Sequence, residues 1–535
     1  MESNLNSNNS LAKASTLMAA GTIFSRITGL IRNLLLVALL GTTLLGDTYN
    51  VANTMPNILY NLLVGGALTA VFVPQIVRSL RDSDGGNAFI SRLFTATVLF
   101  LLTLTTLGIL LAPQIVNIYA PKFNGLPEFD VTVLFMRYCL PQIFFLGLFA
   151  LLGQIANAKG KFGPMMWAPV INNLIVIALF GWYLQNHDQL SIGNITTHDI
   201  YWLGAGTTFG YLAQAVILLP VVYRSGVKLA FKFDLKNAQL FNSIKLASWS
   251  FLYALISQLS YLVTIIIATS AAVKSASDGL LTGVGYTPYS NAYLILILPH
   301  SIITVSVMTA LLPKLANLVI DKKLPEVKAE LSNAIKIVGV FIVPAAMIFL
   351  FFGPLVARTL YFGISTDDAN YLGYTLAGFA LGLIPVSINL ILLRGLNAFE
   401  NLKSQVIGNL IMNLISVGLS IAAAILIEPK WVVVAMAVIF TIHYFIGVGI
   451  SFYLIKKHQI NLAIPAIALH YFKLLMLFAV AIVPLFLIQS SLPGGNLIQL
   501  ILVMVISTTL YLALGFIFKI KEIKSAVELL SRSVR

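Results

Sequence analysis

Two arginines stand where arginine is costly. Arg26 and Arg32 lie inside an apolar run, residues 16–40, that is long enough to cross a bilayer. A guanidinium at membrane depth costs roughly 3 kcal/mol or more unless it faces water, protein or an anion. Its planar fork of N–H donors suits the oxygens of a phosphate, which it grips in bidentate pairs. At about 100° per residue the two positions are about 120° apart on the helix, within reach of one cavity for side chains of this length. The second apolar run carries Asp47, Asn50, Asn53, Thr54, Asn57, Asn61 and Gly65 at steps of three and four, which makes one polar face. Side-chain amides at membrane depth need partners or water. Pro56, in the middle of this face, predicts a kink that frees backbone groups beside it. The chemistry these two helices predict is a hydrated, positively charged cavity that receives an anion.

Other chemistries find little footing. All nineteen acidic residues fall in tails, loops or span ends, with only Asp47 close to a span face. A proton-coupled exporter of cations wants an embedded carboxylate. A hydrolase or transferase wants clustered Asp, Glu or His for acid–base or metal work. The six histidines show no ligand spacing, and no phosphate-binding glycine loop is present, so neither a metal centre nor ATP hydrolysis is expected. His300 and His443 read as hydrogen-bonded packing residues. Cys139, the single cysteine, reads as a small residue buried in an apolar run. The expectation is a transporter, not an enzyme.

The elements that position these residues follow from composition. The 535-residue chain is 59% hydrophobic and 10% charged, with a mean hydropathy of +0.92. This composition predicts an all-α polytopic membrane protein of about fourteen transmembrane helices. Their expected cores are 16–40, 48–77, 91–118, 131–156, 164–184, 201–223, 243–272, 289–312, 334–357, 371–393, 404–427, 431–454, 467–488 and 497–518. With alternate loops assigned to opposite sides and the N-terminus inside, 24 cations fall on the cytoplasmic side. Only four, Lys122, Lys274, Arg358 and Lys430, fall outside. That asymmetry predicts an even number of spans and both termini in the cytoplasm, so the net charge of +14 reports topology, not nucleic-acid binding. Of the remaining cations, Arg137, Lys245 and Lys473 lie near span ends and are expected to snorkel.

An internal echo organises the spans. Asn157-Ala158 precedes Asn173-Leu174-Ile175 as Asn397-Ala398 precedes Asn413-Leu414-Ile415, an offset of 240 residues. Thr69-Ala70 and Thr309-Ala310 share that offset, with Pro74 and Pro313 following one residue out of step. A shared offset predicts two six-helix lobes in the same orientation around a central cavity. The expected divisions are a polar cytoplasmic tail 1–15, a first lobe 16–223, a linker 224–242, a second lobe 243–454, two further helices within 455–518, and a basic tail 519–535. In the first span Gly21, Ser25 and Gly29 form a small-residue stripe suited to close helix contact. In the seventh, Ser250, Tyr253, Ser257, Ser260, Tyr261 and Thr264 form a hydroxyl-rich face. It either meets the eighth span, at Asn291, Pro299, Ser301 and Thr304, or bonds back to its own helix.

One stretch carries a specific resemblance. Ser25-Arg26-Ile27-Thr28-Gly29-Leu30-Ile31-Arg32 is followed by Gly41, Asp47 and Ala52. Met55-Pro56-Asn57-Ile58-Leu59 comes next, and then Gly66-Ala67-Leu68-Thr69-Ala70-Val71-Phe72-Val73-Pro74. With weaker matches at Asn157, Phe162, Ala168-Pro169, Asn173, Pro299, Leu311-Leu312-Pro313, Arg394 and Asn397-Ala398, the chain resembles the MurJ (MviN) family, the lipid II flippases of peptidoglycan synthesis. The resemblance implies the fold of the MOP exporter superfamily. It also implies a cargo of undecaprenyl-pyrophosphate-linked disaccharide-pentapeptide, moved from inner to outer leaflet of the bacterial cytoplasmic membrane by alternating access.

On that resemblance Arg26 and Arg32 attract the diphosphate, and Asp47 serves gating or holds a cation. No organic cofactor is implied; a monovalent cation or the membrane potential are the candidates for coupling. The implied partners are lipid II, the membrane and proteins of cell-wall synthesis and division. The two final helices would shape a groove for the polyprenyl tail. Tyr60-Asn61 and Leu294 stand where the best-known branch carries an arginine pair and a further arginine, replacements similar to those of an actinobacterial-looking branch. Polar help to the two remaining arginines is then expected from Asn53, Asn57, Tyr60 and Asn61. The alternatives are a flippase for another polyprenyl-linked glycan, or a non-transporting scaffold for cell-wall assembly.

Overall fold

The computed structural model describes residues 2–62, 73–234, 244–280, 282–399, 401–525 and 528; the side chains of 2–17, 19, 73, 74 and 244–247 lie outside that description. So do Gly65 and the block 66–72, Lys236 with the rest of the linker from 235, the side chains of Lys13 and Lys245, and Arg532 and Arg535 of the basic tail. The described residues form helices joined by short loops, with no strand among them. They gather into two compact units, Met1–Val273 and Lys274–Arg535.

In the first unit the helices are α1 (Glu2–Leu40), α2 (Leu44–Leu62), α3 (Val73–Ser79), α4 (Asn87–Leu110), α5 (Ala112–Tyr119), α6 (Pro127–Cys139) and α7 (Gln142–Ala158). They continue with α8 (Gly163–Asn186), α9 (Thr197–Val216), α10 (Leu218–Arg224) and most of α11 (Ile244–Ser277). The second unit holds α12 (Tyr286–Pro299), α13 (Val305–Ile320), α14 (Leu324–Leu360), α15 (Thr366–Ala380) and α16 (Leu383–Ala398). After these come α17 (Leu402–Leu426), α18 (Pro429–Lys457), α19 (Ile464–Leu487) and α20 (Asn496–Ile517).

Among the described residues twelve helical segments are long and apolar enough to cross a membrane, or thirteen when α15 and α16, bent by 46°, count as one. This is a multi-pass membrane protein. The remaining expected crossing is α2, whose Asp47 and asparagine face makes it too polar to be counted by apolarity. Of the expected run 48–77, α2 is described to Leu62 and α3 from Val73, and residues 63–72 lie outside the described residues. The eighth, fourth and tenth spans are interrupted, each where a proline, a glycine or a wide turn disturbs the ladder of backbone bonds.

The 240-residue offset reappears in the helix boundaries. Adding 240 to Gln142–Ala158 gives 382–398, against Leu383–Ala398 for α16. Adding it to Gly163–Asn186 gives 403–426, against Leu402–Leu426 for α17. The same shift carries Pro127–Cys139 to 367–379, against Thr366–Ala380 for α15. Even the interruptions correspond. α6 and α7 part at Leu140 and Pro141, and α15 and α16 part at Leu381 and Gly382. Helices α6–α8 and α15–α17 thus share their spacing and one discontinuous member, a pattern transporters use.

Loop contacts agree with the charge alternation. Leu190 N donates to Leu39 O at 3.0 Å, and Lys228 N to Asn87 Oδ1 at 2.8 Å. Arg92 pairs with Asp234 at 2.6 Å and holds that exposed carboxyl below the usual carboxylate range. Gly283 N donates to Asp368 Oδ1 at 2.6 Å, and Lys336 Nζ lies 3.5 Å from Glu522. Every one of these contacts joins segments that the alternation places on the same side of the membrane.

Candidate functional site

The first helix is positioned by its small residues. Gly21 faces Trp167 and Met166 of α8 so closely that a Cβ there would come within 2.9 Å of the indole. Asn173 of α8 donates Nδ2 to Ser25 O at 3.1 Å and to Thr28 Oγ1 at 3.0 Å. Phe24 stacks on Trp167 with centroids 5.5 Å apart. The stripe Gly21, Ser25, Gly29 thus forms a seam with α8, as small residues in membrane helices do. The seam sets the rotation of α1 and hence the directions of its two arginines.

Arg26 is exposed and has no hydrogen-bond or ion-pair partner among the described residues. Arg32 is half-buried. Its guanidinium carbon lies 5.9 Å from the centroid of the Tyr211 ring, and its electrostatic neighbours are Tyr211, Tyr49 and Cys139. From the helical pitch, the two arginines bound a sector of about 120° that also holds Asn33, Thr22, Gly29 and Ser25. Among the described residues neither arginine is paired with a carboxylate.

The polar face of α2 is held from α6 and α7. Gln142, fully buried and first in α7 after the break at Pro141, donates Nε2 to Asn53 Oδ1 at 3.2 Å. Asn57 donates Nδ2 back to Asn53 O at 3.2 Å, inside its own helix. Asn53, Asn57 and Tyr60 are half-buried and Asn61 is exposed, whereas Asp47 is fully buried in the first turn of α2. A carboxylate is favoured in that turn by the helix dipole. Asn53 and Asn57 are therefore brought together, and Arg32 is joined to this helix through its neighbour Tyr49; Asp47 sits apart, at the far end.

Several contributors were not singled out from sequence. Tyr49 is buried between Phe135 and Phe180, edge-to-face at 5.3 and 6.3 Å, and its hydroxyl meets Thr207 Oγ1 at 2.7 Å. Thr207 donates its own proton to Leu203 O at 2.7 Å, so Tyr49 is the donor of the pair. Tyr49→Phe is expected to keep the ring packing and lose one buried hydrogen bond worth about 1 kcal/mol. Thermal unfolding of the purified protein in detergent should fall by a few degrees, with transport retained. Gln142 had one visible signal, a polar residue directly after a proline inside an apolar run.

In the seventh span, Ser257 and Thr264 bond back to Tyr253 O at 3.0 Å and Ser260 O at 3.2 Å. Asn291, expected as a partner for that face, donates to Thr287 O and accepts from the hydroxyl of Tyr361, just after α14, at 3.2 Å. His300 and His443 find partners in Ser387 and the Met412 carbonyl. Among the described residues no group of three His, Cys, Asp or Glu is placed to hold a metal ion.

Comparison with known proteins bears on this arrangement directly. A family model described as lipid II flippase MurJ matches residues 36–506. The chain belongs to the MurJ family of lipid II flippases. A probable lipid II flippase MurJ of Rhizobium meliloti (strain 1021) is 27% identical over 429 residues, 79% of this chain and 76% of that one. The corresponding protein of Rickettsia prowazekii (strain Madrid E) is 26% identical over 380 residues, 70% of each chain. In fold, a solved lipid II flippase MurJ in an inward closed conformation aligns with a TM-score of 0.74 at 21% identity, covering 94% of this chain and 98% of that one. An inward-facing multidrug resistance MATE family transporter of the MOP superfamily aligns at 0.62 and 14% identity, covering 82% and 95%. The MurJ match takes in Asp47 and the Met55–Leu59 block and begins four residues after Arg32.

Proposed function

We propose that this MurJ-family protein carries lipid II, an undecaprenyl-pyrophosphate-linked disaccharide-pentapeptide, from the cytoplasmic to the outer leaflet of the bacterial cytoplasmic membrane by alternating access. The observation that carries the reading is the family match over residues 36–506. The arginines of α1 support it. Arg26 is exposed without a protein partner among the described residues, so its guanidinium is available to a diphosphate, and Arg32, half-buried and held by Tyr211, has no ion-pair partner among the described residues. In this reading Asn53, Asn57, Tyr60 and Asn61 supply neutral hydrogen bonds to the headgroup. The buried carboxyl of Asp47 gates the outer end or holds a monovalent cation, so that a cation gradient or the membrane potential drives the cycle. The two helix sets related by the 240-residue offset act as lobes around the cargo, both termini lie in the cytoplasm, and the cargo is handed to proteins of cell-wall synthesis and division.

Depletion of the protein from its native cell tests this. Lipid II is expected to accumulate in the inner leaflet, with exposure to an external lipid II-binding probe falling in step with protein level. Accumulation of a different polyprenyl-linked glycan would reassign the cargo. Unchanged external lipid II would overturn the proposal.

A further inference from the structure

We infer that the eighth span contains a hinge with two backbone registers, set by His300, Thr304 and Ser387. The inference concerns the second unit alone and needs no assumption about cargo. Between α12 and α13 the chain makes a π-helical turn, His300–Thr304. His300 N bonds Ile297 O, a tight turn, and Val305 N bonds His300 O, a wide one. Pro299, just before, has no N–H to hold the ladder in step. Wide single turns of this kind inside helices often sit at working parts of proteins.

Two side chains pull this turn in opposite directions. His300 is carried outward onto α16, where its Nδ1 lies 2.9 Å from the Ser387 hydroxyl, a fully buried group. Thr304 is fully buried and its Oγ1 has no hydrogen-bond partner among the described residues. On α11 and α13, buried Thr269 and exposed Thr309 turn their hydroxyls to the carbonyl four residues back, Ile265 O and Val305 O, both at 2.8 Å. For Thr304 that carbonyl is His300 O, which the wide turn has given to Val305. In an ordinary α-register Thr304 would recover that bond, and the His300 backbone would be drawn back from Ser387. The latch favours the wide turn; the stranded hydroxyl favours the tight one.

Conversion between the registers moves one half of the span by about 100° of rotation and about 1.5 Å of rise. The α12 half is the anchored one. Asn291 accepts from Tyr361, while Tyr289 and Tyr293 pack on Phe379 with centroids 4.9 and 5.9 Å apart. The α13 half therefore turns, and it carries Lys314 away from Glu330 of α14, to which it is paired at 2.6 Å in the wide-turn state.

The test uses the full chain in membranes, with Cys139→Ser removing the native thiol and Lys314→Cys/Glu330→Cys as reporters. Long side chains form this pair, so a short bis-methanethiosulfonate linker is used in preference to direct oxidation. Ser387→Ala is expected to lower the cross-linking rate, normalised to membrane level, about fivefold, the shift expected from one hydrogen bond. Adding Thr304→Val, which abolishes the stranded hydroxyl, should restore the rate, whereas Thr304→Ser, which keeps a hydroxyl, should not. An unchanged rate in Ser387→Ala, or equal behaviour of the valine and serine variants in that background, would overturn the hinge and leave the flippase reading untouched.

Discussion

Charge reversal at Arg26 is expected to abolish lipid II exposure while the protein remains in the membrane at its normal level. The expectation rests on the position of this side chain. Arg26 is exposed and has no partner among the described residues, so glutamate there breaks no internal bond. Only an anionic cargo loses by the change. A charge-assisted contact is worth roughly 1.5–3 kcal/mol, so at least about a tenfold loss of transport should follow, with partial recovery in Arg26→Lys. Arg32→Glu should behave differently. Its guanidinium lies over Tyr211, and a carboxylate would face the electron-rich ring, so both membrane level and transport should fall. The measurement is external lipid II in cells depleted of the wild-type copy, with variant level determined alongside. Full transport by both reversed variants would remove the diphosphate role of α1.

The largest structural effect is expected at Gly373. Here α15 crosses α14 backbone to backbone, next to the kink where Phe352 leaves helical geometry at φ −117°, ψ 21°. A Cβ on Gly373 would stand 2.5 Å from Pro354 N and 2.7 Å from the Gly353 carbonyl carbon, atoms of the main chain that cannot rotate away. Gly353 meets Gly373 in return, so neither helix has slack. Overpacking a well-filled contact costs about 1–3 kcal/mol, and a backbone collision belongs at or above the top of that range. Gly373→Ala should therefore reduce membrane level severalfold and Gly373→Val should eliminate it. Gly449→Ala, on α18 with nothing within 4 Å, should match the parent. Normal levels of Gly373→Val would show that the two helices part more readily than this contact implies.

Much of the scaffold was legible in sequence because the cost of leaving or entering lipid is borne residue by residue. Apolar runs located the crossings, cations sorted the loops, and the contacts between loops respect that sorting. The polar face of α2 and the small-residue stripe of α1 were legible for a related reason, since helical period alone places residues three and four apart on one side. The identities of Arg26, Arg32 and Asn57, and their spacing, suggested an anionic cargo, and its lipid-linked nature came from the family resemblance.

What each side chain touches was decided only by the tertiary structure. Gln142 and Asn53 are 89 residues apart, Tyr49 and Thr207 are 158 apart, and His300 reaches Ser387 across 87. Nothing in a one-dimensional period encodes such pairings, because they depend on how helices cross and where backbones break. The break at Pro141 aims Gln142 at α2, and the wide turn at His300 strands Thr304; the first was marked by a proline, the second by no local signal in the residues that form it. Asn291 shows the same limit from the other side. Its buried amide had to find a partner, but only packing against Tyr361 determined which one.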